Sequence, residues 1–212
     1  MKTAIVGLGN IGSRIAKNLT SGGHSVIVAD RDLAKAAQLA ARLSGEAEST
    51  SIEGALKSAD IVILAIWFQA IKEFVVEHRN ELVGKIVVDP SNPIAPNGTG
   101  GFKKIIPADQ SAGAIIAGLL PPGATLVKAF GTLGAESLGA TARRPGEPAV
   151  LFYATDEPQA GKAVAELITA SGFTPVNVGG IDRSIRIEVG GDLHEFGQLG
   201  KPVSIEEARA AL

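Results

Sequence analysis

At about 100 to 200 residues per domain, the 212-residue chain makes one compact unit with at most a small appendage. Its 45% hydrophobic and 20% charged residues exclude a disordered or fibrous chain. Twenty Lys plus Arg against 22 Asp plus Glu leave a net charge of −2, without the basic face that nucleic acid requires.

In chain order, Lys2 to Val6 reads as a β-rich apolar strand that runs into a Gly-rich break. Ile11, Ile15 and Leu19 follow at helical spacing. Ser25 to Ala29 is a second strand, and the apolar positions from Leu33 to Leu43 form a helix that Asp32 can cap. Ser51 to Ser58 reads as a short helix and Ile61 to Ile66 as a strand apolar on both faces, as a central parallel strand must be. Residues 69 to 82 are expected to be helical and Lys85 to Val88 a strand. Asp89-Pro90-Ser91-Asn92-Pro93 ends that strand, because two prolines forbid further pairing.

Ile94 to Gly101, rich in Pro, Asn and Gly, is expected to be a long surface loop. A helix follows from Ala108 to Leu120, stopped by Pro121-Pro122-Gly123. Thr125 to Phe130, Ala149 to Ala154 and Phe173 to Val178 read as strands, with an amphipathic helix from Pro158 to Ser171. The alternation Ile185, Ile187, Val189 suggests a half-exposed strand, and Glu206 to Leu212 a terminal helix. The order predicts an α/β fold: a Rossmann-type doubly wound, mostly parallel sheet with helices on both faces over residues 1 to 180. Residues 181 to 212 are then an irregular C-terminal extension of loop, strand and short helix.

The longest apolar runs, Ile61 to Phe68 and Ala112 to Leu120, are far shorter than the roughly 18 to 20 residues of a bilayer span. Met1 to Val6 shows no signal-peptide pattern, so a cytoplasmic location without a membrane partner is expected. The absence of cysteine removes thiolate chemistry, and three scattered histidines, His24, His78 and His194, predict no metal centre. The chemistry is therefore expected from an organic cofactor.

Gly7-Leu8-Gly9-Asn10-Ile11-Gly12 is a G-x-G-x-x-G between a strand and a helix, the context that gives this pattern meaning. Gly7 permits the turn, Gly9 lets backbone approach a diphosphate, and Gly12 lets helix pack on strand. The amides that open the helix then face the anion. Asp30 lies eighteen residues past Gly12, near the spacing at which an acid reads the adenosine ribose. Arg31 and Lys35 follow it and can neutralise a 2′-phosphate, so NAD and NADP both remain open.

Ligands of such sheets lie outside the carboxyl ends of the strands. This brings in Ile66 and Trp67, the latter as a shield for a nicotinamide ring, and Asn92 and Ser91 as partners for a carboxamide. Lys128 can bind an acidic ligand there. His194, flanked by Asp192 and Glu195, is the histidine best placed to serve as a catalytic proton donor.

Gly7 to Gly12, Gly22-Gly23-His24, Ala29-Asp30-Arg31, Asp89 to Pro93 and Leu126-Val127-Lys128-Ala129-Phe130 together resemble the NADPH-dependent reductases of the deazaflavin coenzyme F-420 and their bacterial relatives. That family shares a dinucleotide domain with membrane metalloreductases. The resemblance implies hydride transfer between NADP(H) and a deazaflavin, catalysed by proximity. It implies coenzyme contacts at Gly9, Asn10, Ile11, Arg31, Lys35, Ile66 and Trp67, and a second ligand along Lys128, Phe130, Gly131 and Thr132. Asp30 stands where the family commonly has a neutral polar residue, and Gly131 where it has Asn or His. The residues also admit a noncatalytic NAD(P)-binding sensor, or a small imine or ketone reductase that uses His194. A homodimer is expected, with Phe196 and Leu199 of the tail reaching the partner.

Overall fold

The computed structural model describes every residue except 44 and 45. The first strands and helices alternate: β1 (Thr3–Val6), α1 (Asn10–Thr20), β2 (Val26–Ala29), α2 (Leu33–Arg42), β3 (Ala47–Ser49), α3 (Ile52–Ser58), β4 (Ile61–Leu64), α4 (Phe68–Glu77) and β5 (Ile86–Asp89). Then come β6 (Ile94–Pro96), β7 (Phe102–Lys104), α5 (Ala112–Leu119), β8 (Thr125–Ala129), α6 (Ala135–Ala140), β9 (Val150–Ala154), α7 (Pro158–Ala170) and β10 (Thr174–Asn177). A 3₁₀ helix, Ile181–Ile187, and α8 (Ile205–Ala211) complete the chain.

Eight strands form one sheet in the order β10-β9-β8-β5-β4-β1-β2-β3. The strands from β8 to β3 are parallel; β9 pairs antiparallel with β8 and parallel with β10. This is the doubly wound Rossmann-type sheet. Successive residues of a strand point to opposite faces, and β4 shows why it is apolar throughout. Ile61 and Ile63 enter the core beneath α1, α2, α6 and α7, while Val62 and Leu64 enter the core beneath α3, α4 and α5. Among the described residues, no helix is long and apolar enough to cross a membrane.

Local capping sets several helix starts. Asp32 accepts a hydrogen bond from Lys35 N–H, Ser51 from Gly54 N–H and Ser111 from Ala114 N–H. Ser111 therefore starts α5 at Ala112 rather than at Ala108, and α4 ends at Glu77 rather than at residue 82. Two short elements carry no strong sequence signal: β3, a three-residue polar edge strand, and α6.

Two expectations are corrected. The stretch from Ile94 to Gly101 is not a loop throughout: β6 and β7 form an antiparallel hairpin that pairs Ile94 with Lys104 and Pro96 with Phe102. Its Pro, Asn and Gly residues make the turn, where Asn97 Oδ1 accepts the N–H groups of Thr99 and Gly101, both at 3.0 Å. The segment Ile185 to Val189 is not a strand. A 3₁₀ helix repeats every three residues, and Ile181, Ser184 and Ile187 bury along one side of it. The C-terminal extension packs on the sheet edge, where Ile187, Leu193, Val203 and Ala208 meet Val150, Phe152 and Val176. Buried Glu188 ties it down further, accepting the Ala112 and Gly113 N–H groups at the start of α5, each at 2.9 Å.

Candidate dinucleotide and second-ligand site

The parallel sheet brings the turn after β1 to its carboxyl edge, beside the ends of β2 and β4. Gly7 has φ +89 and donates its N–H to Ala29 O at 2.9 Å, a conformation that favours glycine. A Cβ on Gly12 would overlap the Gly7 carbonyl oxygen, whereas a Cβ on Gly9 would have nothing within 4 Å. Gly12 is thus a packing glycine, and Gly9 opens onto empty space. Gly9 is the N-cap of α1 and offers no side-chain cap. The N–H groups of Asn10, Ile11 and Gly12 lack helical partners, and with the helix dipole they present partial positive charge to that space.

Asp30, at the end of β2, is engaged by this turn. Its Oδ2 accepts Leu8 N–H at 2.9 Å and Lys35 Nζ at 3.0 Å, and its Oδ1 accepts Asp32 N–H at 3.2 Å. Partial burial works against the charged form, but the hydrogen bonds from Leu8, Lys35 and Asp32 outweigh it and hold the carboxyl below its usual range. Arg31 is exposed. Ile66 packs directly over Gly7. Trp67 is 57% exposed, and its ring lies 6.2 Å from that of Phe102, itself 58% exposed on β7. The hairpin therefore stands beside the aromatic side chain expected at the nicotinamide.

The ends of β5 and β8 are knitted together by polar side chains. Asp89 and Lys128 occupy paired positions on the two strands, and their side chains are 0% and 3% exposed. Lys128 Nζ donates to Asp89 Oδ2 at 2.9 Å and also to Ser91 O. It is thus a buried partner of Asp89, not a solvated cation. Asn92 is used at both ends of its amide: Nδ2 donates to Gly131 O at 3.0 Å and Oδ1 accepts Val189 N–H at 2.7 Å. The arrangement gives Asn92 a clasping role rather than the carboxamide contact expected for it. Among the described residues, Ser91 Oγ and Thr132 Oγ1 are buried without a hydrogen-bond partner.

Phe130 is fully buried with φ +64, a conformation that costs a non-glycine residue about 1 to 3 kcal/mol. A Cβ on Gly131 would lie 2.6 Å from Pro90 O, so glycine fits here by close approach. The C-terminal extension holds this segment in place. His194 Nδ1 accepts Phe196 N–H at 2.9 Å, which leaves Nε2 protonated and donating to Gly131 O at 2.9 Å. Glu195 donates its N–H to Thr132 O at 3.1 Å, and its carboxylate accepts Gly134 N–H.

His194 is 1% exposed and both its ring nitrogens are committed. Neither flanking acid contacts the ring, since Asp192 pairs with Arg186 and Glu195 with Gly134. The geometry fits a backbone clasp better than the proton donor expected from sequence. Burial pushes its pKa down from 6.5 to about 4, opposed by the bond to Gly131 O and assisted by the charge of Lys128. The folded ring thus stays neutral where the unfolded ring takes up a proton, so stability is lost as pH falls from 6.5 toward about 4. The expected loss attributable to His194 is about 3 kcal/mol. Urea unfolding at neutral and acidic pH should show it as a steeper decline in the wild type than in His194→Gln; equal declines would contradict it.

Sequence reasoning did not foresee the Asp89–Lys128 pair, although a signal existed: opposite charges stand near the ends of two largely apolar strands, Asp89 closing β5 and Lys128 one residue short of the end of β8. It also missed the Phe102 contact with Trp67, because the first half of the hairpin read as loop and Phe102 fell in a stretch assigned to no element.

Residues 2–93 match the family model described as "NADP oxidoreductase coenzyme F420-dependent". A hypothetical protein from Sinorhizobium meliloti is 32% identical in solved structure, with a TM-score of 0.80 over 92% of this chain and 93% of that one. Residues 2–93 of the chain belong to the coenzyme F420-dependent NADP oxidoreductase family. The rat metalloreductase STEAP3 is 32% identical over 187 residues, 88% of this chain but 36% of that protein, so the chain spans about a third of this relative's length. A protein from Arthrobacter described as a putative F420-dependent NADP reductase shares the fold, with 23% identity and a TM-score of 0.74 over 87% of each chain.

Proposed function

We propose that this family member transfers a hydride between a nicotinamide dinucleotide and a deazaflavin of the coenzyme F-420 type. The observation that carries the proposal is the turn from Gly7 to Gly12: an uncapped helix start, free of side chains at Gly9, facing open space. That arrangement suits the diphosphate common to NAD and NADP and needs no basic side chain.

In this reading Gly9, Asn10, Ile11 and Gly12 hold the diphosphate through main-chain nitrogens, and Asp30 and Arg31 meet the adenosine ribose. Ile66 and Trp67 border the nicotinamide, which when bound supplies the hydride. The buried segment of Phe130, Gly131 and Thr132 backs the place of the second ring system, held in register by Asn92 and His194 on Gly131 O and by Glu195 N–H on Thr132 O. Lys128 supports that segment through Asp89. Holding two rings in contact lowers the barrier by proximity, and carbon-to-carbon hydride transfer demands no proton donor, consistent with the committed ring of His194. The same commitment disfavours a ketone or imine reductase that depends on His194. A cytoplasmic homodimer completes the reading; Phe196, 67% exposed, is the tail residue open to a partner, while Leu199 packs within the chain.

The test is anaerobic mixing of the protein, reduced dinucleotide and deazaflavin, followed through the deazaflavin's visible absorbance. Bleaching that needs both protein and dinucleotide is expected. Dinucleotide binding by calorimetry with no bleaching would retain the binding site and overturn the acceptor.

A further inference from the structure

The end of β2 carries four charged residues in six positions, Asp30, Arg31, Asp32 and Lys35, and their hydrogen bonds bear on which dinucleotide the proposed site accepts. Asp32 is spent on capping α2. Lys35 is spent on Asp30, at 3.0 Å. Among the described residues Arg31 makes no ion pair, so it is the one cation left over, and the local charge sums to zero.

Asp30 cannot turn aside. Three donors hold its two oxygens: Leu8 N–H and Lys35 Nζ on Oδ2, and Asp32 N–H on Oδ1. An ionised carboxylate has about four acceptor positions, so one remains. A ribose hydroxyl can donate to it. A 2′-phosphate oxygen has no hydrogen to offer and carries charge of the same sign, so it would face a fixed carboxylate with Arg31 alone to offset it. Lys35 could help only by leaving Asp30, which would expose that carboxylate's full charge to the phosphate.

We propose that Asp30 makes this chain select NAD(H) over NADP(H), in contrast to the coenzyme in its family's name. The proposal rests on the dinucleotide site proposed above and specifies its ligand.

Calorimetric titration of the full chain with NADH and with NADPH tests it, on the wild type, Asp30→Asn and Asp30→Ser. Asn retains a side-chain oxygen for Leu8 N–H, and a thermal melt confirms that each variant is folded. The wild type is expected to bind NADH about tenfold more tightly than NADPH. Each folded variant is expected to move that ratio toward NADPH by about tenfold or more, as the carboxylate charge goes and Lys35 is released. A wild type that binds NADPH as tightly as NADH overturns the proposal, as does an unmoved ratio in a folded variant. Binding of neither dinucleotide would instead overturn the site itself, and the selectivity with it.

Discussion

Gly9→Val is expected to weaken dinucleotide binding about a hundredfold while changing stability by no more than about 1 kcal/mol. Gly12→Val is expected to do the reverse and destabilise the fold by about 3 kcal/mol or more, near or beyond the upper end of ordinary overpacking. The two glycines lie three residues apart, but their surroundings are opposite. Gly9 has φ −74 and open space where a side chain would project, so valine fits the protein and fills the volume left for the diphosphate. At Gly12 a Cβ would overlap the Gly7 carbonyl oxygen and lie 3.0 Å from Ala65 Cβ, so helix α1 would have to move off the sheet. Thermal melts and calorimetric titration with NADH and NADPH separate the two effects. Undiminished binding by folded Gly9→Val would remove the main support for a diphosphate at this turn.

The second large effect is expected at the Asp89–Lys128 pair. Removing one partner of a buried ion pair strands the other charge, at a cost of about 3 to 5 kcal/mol. Asp89→Leu leaves the Lys128 ammonium inside the protein with only Ser91 O to accept from it. Lys128→Met leaves the Asp89 carboxylate with the Ser91 N–H, at 2.7 Å, so its loss is expected to be the smaller. The double variant Asp89→Leu with Lys128→Met removes both charges and should recover much of the deficit, because a buried pair adds little over an apolar pair of similar volume. Urea unfolding of the four proteins measures this as a coupling. Two losses that simply add would show that the side chains do not depend on each other. The pair joins the ends of β5 and β8 and reaches Ser91 O, at the edge where the second ligand is proposed to lie.

The features legible in the amino-acid order were those encoded within a few residues. The β-α-β opening could be read from apolar runs and Gly spacing because strand and helix periods are local properties. Asp32 announced the start of α2, and Gly7 to Gly12 announced the turn. The same order left the direction of β9 open, because an apolar run has the same pattern whichever way it points. It also misled at Ile185 to Val189, where alternation matched a strand but the 3₁₀ helix with its period of three buries Ile181, Ser184 and Ile187 instead.

Tertiary structure alone decided how the polar side chains are spent. His194 reads as an available acid beside two carboxylates until Gly131, 63 positions earlier, is found at its Nε2. Asn92 reads as a ligand contact until Val189, 97 positions later, takes its Oδ1. Lys128 reads as a contact for an acidic ligand until strand pairing sets it opposite Asp89. Backbone preferences act over one or two turns of chain, so sequence determined the frame and its glycine-rich turn. Whether a buried polar atom is free for a ligand depends on which distant segments fold against it, and only the packed structure settles that.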